Sequence, residues 1–177
     1  MRRLLLDAYD DGITSHGQVA AGQVQRSGRT TAKIAMDWID AHASAPFFYF
    51  LHIFEPHSPY EPEEPFRSKY RDRYDGEIAT ADAIVGGFLD HLRAKGIYDR
   101  ATVILMSDHG EALGDHGELE HGIFIYRETI HVPLLLKLPK GERRGETVDR
   151  PVALNDVAPT VAALVGIKPS TAMRGRS

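Results

Sequence analysis

Three short apolar runs dominate the chain: "FFYFLHIF" (47–54), "ATVILMS" (101–107) and "VPLLLKLP" (132–139). None alternates apolar with polar residues, so none reads as a strand with one wet face. Each suits a strand covered on both faces, as in a parallel sheet. Helical patterns lie between them. Ile34, Ala35, Trp38 and Ile39 recur at helical spacing within 29–43. A second helix is predicted from about Asp75 to Ala94, with Ile78, Ala81, Val85, Phe88, Leu89 and Leu92 as its apolar face and Gly96 as its stop. Asn155 or Asp156 can cap a last helix that ends near Gly166, with Pro159 in its first turn. Apolar strands alternating with amphipathic helices predict an α/β layered fold with a mostly parallel sheet. Residues 1–28 are weakly patterned and predict a weakly ordered N-terminal segment. Residues 29–168 hold the α/β domain, and 169–177 are expected to form a disordered tail.

Composition narrows the function classes. The 177 residues are enough for one domain with a core. Lys plus Arg number 21 against 25 Asp plus Glu, so no basic face is implied and nucleic acid is not an expected partner. The absence of cysteine excludes disulfides and thiolate metal sites. No apolar run approaches a membrane span. The start, "MRRLLLDAYDDG", has only Leu4-Leu5-Leu6 as an apolar centre, too short for a signal-peptide core, so no export signal is read and the compartment stays open.

In sheets of this kind ligands gather beyond the carboxyl ends of strands. Two unusual loops follow predicted strands and are expected at the same sheet edge. "EPHSPYEPEEPF" (55–66) has four prolines in twelve residues and is a stiff irregular loop. It holds His57 between Pro56 and Pro59, a rigid placement suited to a substrate contact, although an exposed loop histidine is an equal reading. His52, inside the aromatic run, is expected to be a satisfied buried histidine. The second loop, "SDHGEALGDHGELEHG", has three His-Gly pairs. At the end of the strand before it, the chain turning at Gly110 can bend Asp108 and His109 toward one ion. An oxygen and an imidazole nitrogen make half of a site for Zn, Mn or Fe, or for Ca where oxygen ligands dominate. His116 and His121 lie 8 and 13 residues beyond Asp108, within reach of an anion bound there. Each can serve as a proton donor or a cationic hydrogen-bond donor, and each can equally be a solvated loop histidine. Glu111, Asp115, Glu118 and Glu120 are read as solvated or loop-ordering acids.

"FYFLHIFEPHSPYEP", "YDGEIATADAIVGGFLDHLRAKGIYDRATVILMSDHGEALGDHG", "HVPLLLKLP" and "NDVAPTVAALVGI" resemble, in that order, the later part of the sulfatase family, within the alkaline phosphatase-like superfamily. The resemblance runs over about residues 30–176. It implies a three-layer αβα fold, incomplete here, and a sulfuric ester hydrolase with a divalent metal (Ca, Mn or Zn) beside a nucleophile. It gives Asp108 and His109 the place of metal ligands and His57 that of the histidine contacting the substrate anion or leaving group. His121 falls where many members have a lysine on the sulfate oxygens. Lysine is a fixed charge and imidazole is not, so anion binding here would depend on pH or give way to proton donation. His116 is the candidate further substrate contact.

The family's C/S-x-P-x-R segment, whose Cys or Ser becomes formylglycine, has no counterpart here. There is no cysteine, and the only x-x-P-x-R match, "EEPFR" (63–67), has Glu at the nucleophile position. "LLLDAYDDG" echoes a strand ending in an acid but is too short to weigh. The expectation is therefore a fragment whose nucleophile lies upstream, acting on a small-molecule or glycan sulfate or phosphate ester, with a missing N-terminal half or an oligomer partner completing it. Two other readings stand beside this one. One is phosphoester or phosphonate hydrolysis, or phospho-alcohol transfer, in the same superfamily. The other is an inactive relic or partner-dependent subunit with exposed sheet edges and poor solubility. Family members are often exported, which leaves localisation unassigned.

Overall fold

The computed structural model describes residues 26–177, so most of the segment expected to be weakly ordered lies outside the described residues. Two compact units result, one ending at Tyr98 and the other spanning Asp99–Ser177.

In the first unit, helix α1 (Gly28–His42) begins where its orphan N–H groups find oxygen. The Thr30 N–H donates to Ser27 Oγ at 3.3 Å, and the Gly28 N–H to both carboxylate oxygens of Glu55 at 2.9 and 3.1 Å. A carboxylate at this end also meets the positive pole of the helix. Ala32, Ala35 and Ile39, spaced along one stripe, are buried against the long helix α3 (Arg73–Ala94). At the other end of the pair, Asp40 accepts from His91 at 2.9 Å and Lys95 at 2.7 Å. Trp38 stacks on His42, with Phe47 and Tyr49 against its ring. A single-turn helix, α2 (Phe66–Lys69), precedes α3. Asp72 caps α3 by accepting the Tyr74 N–H.

The expected stop of α3 is observed. Gly96 has φ +65°, and the Ile97 N–H returns to the Leu92 carbonyl at 2.9 Å while the Ile97 side chain is buried. Only glycine takes that φ without strain. Its buried face differs from expectation. Gly76, Glu77, Thr80, Ile84 and Leu92 are buried, whereas Ile78 is exposed. Apolar residues occur around most of this helix, so periodicity alone does not select a face. The Pro-rich loop does: Pro62 fills the space a side chain at Gly76 would need, and Glu77 accepts the Glu61 N–H at 3.0 Å.

The run 47–54 is not a strand. Among the described residues no backbone pairs with it, and an unpaired chain forms no ladder. Phe48, Phe50 and His52 are exposed, so His52 is not the buried histidine expected.

In the second unit, β1 (Val103–Met106) pairs with β2 (Leu134–Lys137), in register from Val103↔Lys137 to Met106↔Leu134. The pair is antiparallel, where the sequence predicts parallel strands. A parallel return needs a crossover element lying across the sheet. The intervening residues instead form loops, a 3₁₀ turn and the one-turn helix α4 (Arg127–Ile130). Leu105, Met106 and Leu134–Leu136 are exposed rather than covered. Helix α5 (Val157–Leu164) holds Pro159 in its first turn, and Gly166 and Ile167 close it as Gly96 and Ile97 close α3. The segment expected to be a tail follows a turn at Ser170–Met173. The Arg176 N–H donates to Asp156 at 2.7 Å, which with the Ala153 N–H holds that carboxyl below its ordinary range. Among the described residues no helix is long and apolar enough to cross a membrane.

Ile39 is fully buried, so Ile39→Ala is expected to cost about 2–5 kcal/mol in denaturant unfolding. Burial raises the Glu77 carboxyl above its ordinary range, against the opposing backbone hydrogen bonds. The stability of such a group is fully present below the ordinary Glu value and is lost as pH rises through the raised one. The melting temperature of Glu77→Gln is therefore expected to gain on wild type as pH rises from acid to neutral, and a gap that stays constant with pH would contradict this.

Candidate functional site

Strand β1 delivers Ser107-Asp108-His109-Gly110 into a tight bend. The His109 N–H donates to Asp108 Oδ1 at 3.0 Å, and the Ser107 hydroxyl donates to the His109 carbonyl. His109 Nδ1 lies 2.9 Å from the Gly110 carbonyl. A carbonyl only accepts, so Nδ1 bears the hydrogen, and in the neutral ring Nε2 bears the lone pair. A main-chain acceptor behind the imidazole is the usual support of a metal-ligating histidine. Asp108 Oδ1 and His109 Nε2 are 3.7 Å apart. With metal–ligand bonds of about 2.1 Å, one ion can touch both at an angle somewhat wider than tetrahedral. The two residues therefore fit as part of a divalent site.

Gly110 locks this bend to α4. Its N–H donates to the Thr129 carbonyl at 2.8 Å, and a Cβ on it would lie 2.0 Å from the Glu128 carbonyl oxygen. Thr129 is buried and its hydroxyl donates to the Phe124 and Tyr126 carbonyls, which fixes the entry to α4.

The intervening loop returns His121 onto His109, with ring centroids 3.9 Å apart and planes 24° from parallel. His121 Nδ1 lies 3.1 and 3.3 Å from the two oxygens of Glu111, whose side chain is 6% exposed. A carboxylate accepts and does not donate, so this nitrogen is a donor whatever the charge of the ring. Glu118, also buried, accepts the Ile123 and Phe124 N–H groups at 3.0 and 3.3 Å and so pins the far side of the loop. Leu119, Ile123 and Ile125 are thrown outward, more than three quarters exposed.

His116 has other neighbours. It sits at φ +55°, a conformation few non-glycine residues adopt. Its ring stacks on Tyr126 at 4.1 Å, and Nε2 is 3.8 Å from Glu128 Oε2, an ion-pair distance rather than a hydrogen bond. His57 lies in the first unit. Its Nδ1 is 2.7 Å from the Ser58 carbonyl, which again puts the hydrogen on Nδ1, and its ring tilts against Phe54.

The structure thus brings Asp108, His109 and His121 together and gives His116 separate partners. Sequence reading did not say which carboxylate stands behind which histidine. Of the two readings open for the loop acids, Glu111 and Glu118 take the loop-ordering one, while Glu128, beside His116, was not singled out. The loop is rich in acids at irregular spacing, and periodicity cannot say which folds inward. The usable signal was chemical: a histidine held in one orientation needs an acceptor behind it.

Residues 8–167 match the sulfatase family. The chain is 29% identical to arylsulfatase K of Danio rerio over 79% of its own length and 26% of that protein's. It is 26% identical to an uncharacterized sulfatase, YidJ, of Escherichia coli over 97% of its own length and 43% of that protein's. It therefore spans less than half the length of these curated relatives. In fold it is similar to the phosphonate monoester hydrolase of Agrobacterium radiobacter, with a TM-score of 0.77 at 22% identity, covering 86% of this chain and 42% of that one. The fold is thus the α/β arrangement of the alkaline phosphatase-like proteins. Since the sequence match extends through nearly the whole chain and survives in both bacterial and vertebrate relatives, this chain belongs to the sulfatase family.

Proposed function

We propose that this chain supplies the metal and histidine side of a sulfuric ester hydrolase acting on a small-molecule or glycan sulfate ester. The observation that supports it most is the Asp108–His109 pair at the end of β1, with His109 oriented by the Gly110 carbonyl and His121 stacked upon it. Asp108 and His109 would hold a divalent ion. Such an ion polarises an ester oxygen and offsets negative charge on the transferred group. His121, its Nδ1–H given to Glu111, presents its other nitrogen to the anion or to the leaving oxygen. By the family resemblance, His57 is given a contact with the substrate anion or leaving group, and His116 a further substrate contact. The nucleophile comes from the part of the catalytic domain that the longer relatives have and these 177 residues do not span.

The test is binding of Mn²⁺ or Ca²⁺, and then of inorganic sulfate, to the whole chain. One ion per chain is expected for wild type. Asp108→Ala and His109→Ala are each expected to weaken it by more than the roughly 10–100-fold typical of losing an outer-shell partner. His121→Ala should keep the ion and lose sulfate affinity. Equal metal stoichiometry and affinity in all variants would refute the site. Gly110→Ala removes no ligand but must displace the Glu128 carbonyl. It is expected to weaken metal binding too, and unaltered affinity would show that the link to α4 does not hold the ligands.

A further inference from the structure

We propose that Glu77, on α3, is the positioning residue for His57, holding the Pro-rich loop through its main chain. The inference rests on the proposed role of His57 as an anion contact and says what puts it there.

His57 has spent its Nδ1 hydrogen on the next carbonyl, so the direction of its ring is tied to the loop backbone. That backbone is held from α3. Glu77 Oε1 accepts the Glu61 N–H at 3.0 Å, and the carboxylate also takes the main-chain N–H of His57. The anchor therefore grips the loop at His57 and again four residues on. Pro62, next in the chain, seats on Gly76. Glu55, just before His57, is occupied at the start of α1.

Glu77 is 5% exposed. Burial disfavours its charge, and the charges of Glu55 and Glu61 add to the cost. An apolar residue would suit a helix interior better. Two separate main-chain donors explain the choice. A carboxylate offers two acceptor oxygens and no donor, whereas an amide would turn N–H₂ toward one of the N–H groups. The residue is thus costly to the helix and matched to the loop.

The experiment is amide hydrogen exchange and inorganic sulfate binding in the metal-loaded full chain, for wild type, Glu77→Ala, Glu77→Gln, His57→Ala and the His57→Ala/Glu77→Ala double variant. Glu77→Ala is expected to speed exchange at His57 and Glu61 by roughly tenfold, with Glu77→Gln in between, while amides at Ile84 and Leu92 stay protected. Sulfate affinity should fall in both single alanine variants, and the double variant should lose no more than His57→Ala alone. Unchanged exchange at His57 and Glu61, protection lost evenly along α3, or additive losses would overturn the proposal. Unaltered sulfate binding in His57→Ala would instead overturn the role given to His57, and the exchange data would then decide the anchoring by themselves.

Discussion

The second unit depends on one main-chain hydrogen bond, from the Gly110 N–H to the Thr129 carbonyl. It ties the residues leaving β1 to α4, and the chain between is a loop closed on itself. Closing a loop of this length costs entropy once, and everything inside then has a fixed frame. Asp108 and His109 sit at one end of the frame, while His116 and His121 hang within it. The approach is close enough that residue 110 can have no side chain. Glu118 performs the same service from inside, its carboxylate substituting for a backbone partner at Ile123 and Phe124. Such a loop is ordered without a core of its own, which is why its large apolar side chains can point outward.

A common device recurs across both units. Each histidine of interest has one nitrogen committed to an oxygen close by: His109 to the Gly110 carbonyl, His57 to the Ser58 carbonyl, His121 to Glu111. The commitment fixes the ring. Where the partner is a main-chain carbonyl, the orientation is encoded by the loop. Where it is a carboxylate, as at His121, the orientation is held by a side chain within the loop instead.

What was legible in the sequence followed from local rules. Both long helices, the glycine stop at Gly96 and the turn at Asp108-His109 after a β-strand all depend on near neighbours. What was not legible depends on distant ones. The buried face of α3 is chosen by Pro62 and Glu61, not by its own periodicity. The direction of β2 is set by the absence of a crossover helix in the connection from β1. The run 47–54 has the composition of a strand, yet ladder bonds need a partner. Nothing in the spacing shows that Glu77 and Glu118 serve backbone donors, or that Glu111 serves the ring of His121.

Trp38 is the only indole in the chain, and its ring is packed against His42, Phe47 and Tyr49 near the end of α1. Tryptophan fluorescence therefore reports on the first unit alone, while the Asp108–His109 bend lies in the second. A tyrosine or circular-dichroism signal covers both. If the two kinds of transition coincide, the units melt as one cooperative body; if the indole signal moves separately, they melt in turn. The position of one aromatic ring thus gives this chain a built-in way to separate the stability of its helical part from that of its histidine loop.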